Sequence, residues 1–402
     1  MPEHFVLVVS ELPGMMALDR RCMSKKPDNS TADESVPRQE ADLESDWPRI
    51  ARILDANANR AEEGLRVLED CFRFGRDDPF LSGQLKQLRH QLAEALQHFP
   101  RSDFLLARDT RGDVGTTIIA RGEYDRSSLS EIIEANMHRV QQSLRCLEEY
   151  SKLVSSTTAS QMEQLRYESY DLHRALTTSE RGRQQLADSR LHVILDAAES
   201  DQELGRRWKA LLAAGIDMIQ LRDKQMEDRV LLGRAKVIRS LLDRQRETRS
   251  RVPLFIINDR PDIARLCGAD GVQLGQDDMA VSEARKIVGM TALIGVSTHT
   301  IDQARKAILD GADYIGCGPT FPGQTKQFDA FPGPAFLEQV SAEIRLPAFA
   351  IGGITLENLD EVLESGMQRV AVSGAVARSD APADAARRFQ ERLSAAGSWK
   401  QE

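Results

Sequence analysis

Aromatic side chains supply only 5% of the 402 residues, and the five cysteines (Cys22, Cys71, Cys146, Cys267 and Cys317) lie scattered, with no Cys-x-x-Cys among them. An odd number without paired spacing speaks against a zinc knuckle or a disulfide framework and fits reduced thiols. Long apolar runs are missing too, and none approaches the ~20 residues that a membrane-spanning helix needs. The opening Phe5-Val6-Leu7-Val8-Val9 is short and has no cationic flank, so a signal peptide is not expected. Basic residues are outnumbered, giving a formal net charge of −9. That balance excludes a general binder of nucleic acid or anionic membrane while leaving room for a local cationic pocket. A soluble enzyme with reduced thiols, in a cytoplasm, is the expectation these features leave.

Hydrophobic residues at 41% and charged residues at 29% are ordinary for a globular chain, and the length allows two domains with cores of their own. From Ser24 to Asp46 there is no aromatic residue, and Val36 and Leu43 are the only large aliphatics. Such a stretch buries too little to offset chain entropy, so residues 1–46 are expected to form a disordered extension. Residues 47–180 read as helical, with apolar side chains three to four apart at Leu85, Leu88, Leu92 and Leu96. The polar run Thr177-Thr178-Ser179-Glu180-Arg181-Gly182-Arg183 reads as a linker. Over residues 186–402 short apolar runs alternate with amphipathic segments such as Asp302 to Leu309 and Leu356 to Leu363. Strand candidates begin near His192, Met218, Leu254, Val272, Leu293, Tyr314, Ala348 and Val370. Eight such units in ~215 residues predict an α/β fold, a (β/α)8 TIM barrel preceded by a mainly α-helical domain. A doubly wound open sheet is the alternative, but no Gly-rich turn follows Ile194-Leu195-Asp196.

The apolar runs end in polar groups. Met218-Ile219 runs into Gln220-Leu221-Arg222-Asp223-Lys224, and Phe255-Ile256-Ile257 into Asn258-Asp259. Val272-Gln273-Leu274 runs into Gly275-Gln276-Asp277-Asp278, and Leu293-Ile294-Gly295-Val296 into Ser297-Thr298-His299. At a barrel's C-terminal face such residues share one site. Gln220, Arg222 and Lys224 alternate, so as a strand end they would share a side and converge on an anion, a planar fork beside a point charge. A surface ion-pair cluster around Asp223 is the alternative. Asp259 and Asp278 follow adjacent strands, and two converging carboxylates suit a Mg2+ ion whose octahedron substrate phosphates complete. Helix N-caps are the competing reading, because Pro261 sits two residues after Asp259. Gly316 to Lys326 is too rich in Gly and Pro for a helix and long enough to be a binding loop. Gly352-Gly353 and Ser373-Gly374, after the seventh and eighth strands, suit a phosphate cradle of backbone N–H groups, or simple turns. His299 is either a general acid–base or a structural hydrogen-bonder.

Together these residues resemble the thiamine-phosphate synthases. The pattern comprises Gln220 to Lys224, Asn258-Asp259, Leu274 to Asp278, Gly295 to Thr300, Gly311 to Pro319 and Ile351 to Ile354, in the family's order, and spans the chain from Leu191 to about Leu393. The resemblance implies a TIM barrel that joins a hydroxymethylpyrimidine diphosphate to a thiazole phosphate, carboxylated or decarboxylated, with release of pyrophosphate. By the same resemblance Gln220, Leu221, Arg222, Asp223, Lys224, Asn258, Ser297 and Lys326 bind the pyrimidine diphosphate, and Asp259 and Asp278 hold one Mg2+ per site. Arg222, Lys224, Ser297 and Lys326 are then the catalytic candidates. Gly323, Gln324, Thr325, Gly353, Ser373 and Gly374 bind the thiazole phosphate. One departure stands out: the family's Thr-x-Thr-Lys appears here as Gly323-Gln324-Thr325-Lys326, without the first hydroxyl. A metal-independent thiazole tautomerase working through His299, or a non-enzymatic binder of thiamine precursors, are the rival readings. A homo-oligomer is left open.

The helical region carries an internal repeat. Asn57 to Asp70 recurs as Asn136 to Glu149 on the template Asn-x-x-Arg-x-x-x-small-Leu-Arg-x-Leu-Glu-acidic. Either two equivalent helices cross closely where Gly64 and Ser143 are small, or Arg60 and Arg139 join the Asp109 to Thr116 loop as a second anion site. The region also resembles a helical domain fused ahead of some thiamine-phosphate synthases, for which a pyrimidine-phosphate kinase role is conceivable, although no P-loop or kinase signature appears. Arg66 and Arg145 are placed to meet acidic partners three and four residues on.

Overall fold

The computed structural model describes residues 36–117, 125–197, 200–247, 252–322 and 331–398. Helices α1 (Val36–Phe74), α2 (Pro79–Leu96), α3 (Arg101–Ala107), α4 (Leu129–Ser151) and α5 (Ser156–Gln185) come first. The remaining elements alternate as β1 (Leu191–Leu195), α6 (Asp201–Ala213), β2 (Met218–Leu221), α7 (Asp228–Arg246), β3 (Leu254–Asn258), α8 (Pro261–Cys267), β4 (Gly271–Leu274) and α9 (Val281–Val288). They continue through β5 (Leu293–Thr298), α10 (Ile301–Asp310), β6 (Tyr314–Cys317), α11 (Gly333–Glu343), β7 (Ala348–Ile351), α12 (Leu359–Glu364), β8 (Val370–Val372), α13 (Gly374–Ala377) and α14 (Pro382–Ser398).

The strands run parallel and close into a barrel in sequence order, with β1 pairing both β2 and β8. The interior is filled by Ile194, Met218, Ile256, Leu293, Tyr314, Phe349 and Ala371, with Leu186 from below. His192 packs edge-on against Phe349 and Tyr314, and full burial pushes its imidazole down to about 3, so it is a neutral core residue. Side chains alternate along a strand. Counting up from the core residues, Gln220, Asn258, Gln273 and Ser297 therefore face inward at or near the C-terminal ends of β2 to β5.

Two expectations about the helical region need correction. Helix begins at Val36, so residues 36–46 are not an unstructured extension; residues 1–35 lie outside those described. Thr177 to Arg183 is not a linker but the last turns of α5. These polar residues hold a helix because their partners lie far along the chain. Arg181 Nε donates to Asp313 Oδ1 at 2.8 Å, Arg183 Nε to the Arg345 carbonyl at 3.2 Å, and Arg174 reaches the Leu309 carbonyl at 3.4 Å. Asp313 is fully buried at the start of β6 and also takes Arg285 and the Ile294 N–H, so α5 is locked beneath the barrel, at the end opposite the strand C-termini.

Gly182 is the contact residue. A Cβ there would lie 2.0 Å from the Asp313 carbonyl oxygen, which is backbone and has no rotamer to change. Gly182→Ala gains ~1 kcal/mol of helix propensity. Overpacking costs ~1–3 kcal/mol, and here it displaces a whole helix, so net destabilisation is expected. A denaturant midpoint equal to or above that of the parent protein would contradict this account of the contact.

The repeat forms as two comparable helices. A Cβ on Gly64 would meet Val140 Cγ2 at 2.8 Å and the Asn136 carbonyl at 3.4 Å, so α1 and α4 cross where the small residue was expected. Arg66 meets Glu69 and Asp70 at 3.7 and 3.5 Å, and Arg145 meets Glu148 and Glu149 at 2.5 and 2.7 Å. The following helix adds an arginine to each: Arg89 on Glu69 at 3.1 Å and Arg166 on Glu148 at 2.7 Å. Asn57 and Asn136 each donate to the carbonyl four residues back, at 2.8 Å. Arg60 and Arg139 are exposed.

Candidate active site

Asp259 has left-handed backbone, φ 59°, a conformation that Asp tolerates better than most residues. Its N–H is tied to the Gln273 carbonyl at 2.8 Å, so the chain leaves β3 sharply and presents the carboxylate at the barrel mouth. There the carboxylate meets Lys224 Nζ at 2.8 Å and lies near enough to Asp278 to raise that carboxyl's pKa. Asp278 is steadied by the Gly275 N–H, which donates to its Oδ2 at 2.6 Å. Neither acid is a helix cap: α8 is preceded by Arg260 and α9 by Ala280, neither with a side-chain cap.

Desolvation and then the neighbouring Asp259 push the Asp278 carboxyl above the ordinary carboxylate range, partly countered by the Gly275 N–H and Lys224. Two neighbouring carboxylates with one ammonium against Asp259 could seat a cation, and Lys224 supplies positive charge there already. A hard divalent ion with two protein oxygens and otherwise water or phosphate ligands fits this donor set. No group of three or more ligating side chains occurs among the described residues, so other ligands would have to come from substrate or water.

The rest of the cluster is only partly as expected. β2 ends at Leu221, so strand alternation stops before Arg222 and Lys224 and cannot align them with Gln220. Gln220 is buried at 2% exposure, Arg222 is half-buried with its N–H on the Leu195 carbonyl at 2.8 Å, and Lys224 is exposed and reaches over to β3. Asp223 turns the chain instead of pairing with a cation, accepting from the N–H groups of Gln225 and Met226 at 3.1 Å. On β5, Ser297 Oγ accepts from Gln273 Nε2 at 3.1 Å and the Ser297 carbonyl accepts from Gln276 Nε2 at 2.6 Å. His299 is held by the loop, its Nδ1 on the Gly318 carbonyl and its N–H on Gln303 Oε1 at 2.7 Å, which is the structural reading.

After β7, Gly352 and Gly353 both have positive φ, 97° and 63°. A Cβ on Gly353 would strike the carbonyls of Phe321 and Pro322 at 2.6 and 2.7 Å, so glycine is required here by both conformation and space. Asn358 Nδ2 secures the Gly353 carbonyl at 2.9 Å. After β8, Ser373 precedes α13, and the Arg378 guanidinium lies where a Cβ on Gly374 would be, 2.3 Å from Nη2. Gly323, Gln324, Thr325 and Lys326 lie outside the described residues. Gln276 lies within the Leu274 to Asp278 pattern but was given no role, and Gln273 and Arg378 carry no motif; all three matter by what they touch. A cavity of about 400 Å3 opens near Gln185, Leu254, Asp270 and Leu293, at the opposite end of the barrel, and shares no residue with this cluster.

A family model described as thiamine monophosphate synthase matches residues 191–376, and one described as the ThiD2 family matches residues 52–175. Among curated relatives, a thiamine-phosphate synthase of Rhodopirellula baltica is 46% identical over 82% of this chain and 89% of its own length. One of Thermosynechococcus vestitus is 39% identical over 87% of this chain and 97% of its own. One of Nostoc sp. is 40% identical over 83% and 91%. These matches run through both the helical region and the barrel.

Proposed function

The chain belongs to the thiamine-phosphate synthase family, and on that premise we propose that the upper end of its barrel condenses 4-amino-2-methyl-5-(diphosphooxymethyl)pyrimidine with thiazole phosphate. Pyrophosphate leaves and thiamine phosphate forms. The observation that carries the site assignment is the convergence of Lys224, Asp259 and Asp278 across neighbouring strand ends. A tautomerase needs no such cage for a diphosphate.

The C–O bond to the diphosphate breaks with its electron pair going to pyrophosphate, which leaves a cation on the electron-rich aminopyrimidine methylene. The thiazole nitrogen then supplies the pair for the new C–N bond. The barrier lies in accommodating charge on the departing oxygens, so cations and fixed donors are what the reaction requires. Asp259 and Asp278 would hold one Mg2+, which supplies charge neutralisation and a template for the phosphate oxygens. Arg222, Lys224, Lys326 and the Ser297 hydroxyl would serve the same oxygens, while Gln220 and Asn258, inward-facing on β2 and β3, would meet the pyrimidine diphosphate together with Leu221 and Asp223. Gly323 to Thr325, Gly353, Ser373 and Gly374 take the thiazole phosphate, whose placement against the cation is a proximity effect. No side-chain nucleophile is required. The same chemistry suits a cytoplasmic enzyme, and no helix among the described residues is long and apolar enough to cross a membrane.

Purified protein mixed with both phosphorylated heterocycles and Mg2+ should yield thiamine phosphate and pyrophosphate in equal amounts. Isomerised thiazole with no condensation would replace this reading by the tautomerase. A chain shortened to begin at Leu186 is expected to keep turnover within about threefold, since active residues of this fold come from the strand C-termini and the loops after them. It should melt at a lower temperature, because Asp313 loses Arg181. A shortened chain that stays folded but is inactive would show that the helical region feeds the barrel site.

A further inference from the structure

Gln273 sits on β4 between the two halves of the site and is 7% exposed. Its backbone carbonyl accepts from the Asp259 N–H at 2.8 Å, and its side-chain Nε2 donates to Ser297 Oγ at 3.1 Å. The seat for that side chain is built: a Cβ on Gly295 would lie 2.3 Å from Gln273 Oε1 and 2.2 Å from Tyr314 Cζ, so only glycine there lets the amide lie flat across β5. Gln276 holds the Ser297 carbonyl from the exposed side at 2.6 Å. Ser297 is therefore gripped at both its backbone and its hydroxyl.

A serine hydroxyl has one proton to give and lone pairs to receive, and an amide NH2 can only donate. With Gln273 donating to Ser297 Oγ, the hydroxyl proton is directed away from the amide and is left free for another acceptor. The neighbouring Thr298 shows the other outcome: its hydroxyl donates to the Gly316 carbonyl at 3.1 Å and has no proton left for a ligand. We propose that Gln273 is a positioning residue for the condensation, orienting the Ser297 hydroxyl so that its proton faces the diphosphate oxygens. The proposal rests on the assignment of Ser297 to the pyrimidine diphosphate. A donor aimed before the substrate arrives needs no reorganisation as charge develops.

Gln273→Met keeps an unbranched side chain of similar length and removes the donor. Losing a whole oxyanion donor costs ~100-fold or more, so losing only its orientation is expected to lower kcat roughly 10-fold, with KM for the diphosphate little changed. The half-saturating Mg2+ concentration should not move, because Asp259 is held by the backbone of residue 273. Gln273→His, which places a ring N–H at comparable reach, should recover most of the lost turnover. In a double-mutant cycle the Gln273→Met/Ser297→Ala protein should be no slower than Ser297→Ala alone. Additive losses, or a Gln273→Met protein with parental kcat, would overturn the proposal. So would a fall in Mg2+ affinity or in melting temperature that accounts for the lost turnover, since either would mark a merely structural role. A silent Ser297→Ala would instead remove the diphosphate assignment of Ser297 itself, and the proposal with it.

Discussion

Asp259→Asn and Asp278→Asn are each expected to lower kcat by ~10²–10³-fold while the fold stays intact. A bound divalent ion supplies several kcal/mol of transition-state charge stabilisation, and each 1.36 kcal/mol is a factor of about ten. Asparagine is the informative substitution at 259, because the φ of 59° is one that Asn adopts easily and Ala does not. At 278 the amide still presents an oxygen to the Gly275 N–H. Any loss is then charge and ligation, with little contribution from strain. Chelation should abolish activity of the parent protein and added Mg2+ should restore it. In the variants, far more Mg2+ should be needed for half-maximal rate. A doubly substituted protein with full turnover would end the metal assignment.

The barrel was legible because each parallel strand is a short apolar run bounded by polar residues, and burial leaves such runs little choice. All eight strands begin within one residue of where the runs begin: Leu191 for His192, Gly271 for Val272, and the other six at the expected residue. The carboxylate pair was legible for a related reason. Adjacent parallel strands deliver the residues just past their C-terminal ends to the same place, so Asp259 and Asp278 had to be neighbours once β3 and β4 were. Side-chain directions beyond a strand end were harder to read. Lys224 was aligned with Gln220 by an alternation that β2 does not sustain, and its partner is across the mouth on the next loop.

Contacts between distant segments were not legible at all. Arg181 and Gly182 look like linker residues until Asp313, more than a hundred residues on, is placed against them. Gln273 lies in an apolar strand where a lone amide looks incidental, and its role appears only when β5 lies alongside with Gly295 opposite. In the helical region the repeat could be read from spacing, since i,i+3 and i,i+4 pairs are local. The second arginine on each acid, Arg89 or Arg166, comes from the next helix and could not be read that way.

Arg222→Ala is expected to lower kcat by at least ~100-fold, on the scale set by removing a single donor from a developing oxyanion. The backbone of residue 222 is anchored to the Leu195 carbonyl, so truncating the side chain leaves the β2 end in place. Among the described residues Arg222 forms no ion pair, whereas Lys224 is already engaged with Asp259. The two cations are therefore expected to respond differently to substitution. Lys224→Ala removes the counter-charge that moderates the Asp259–Asp278 repulsion, and its effect should be partly rescued by raised Mg2+. Arg222→Ala removes a planar fork that a metal ion cannot imitate, so added Mg2+ should not rescue it, and Arg222→Lys should recover only a small part. Steady-state rates over a Mg2+ series separate the two. If Arg222→Ala instead weakened only thiazole-phosphate binding, with turnover preserved at saturation, the guanidinium would belong to the other substrate and the leaving-group clamp would rest on Ser297, Lys224 and Lys326.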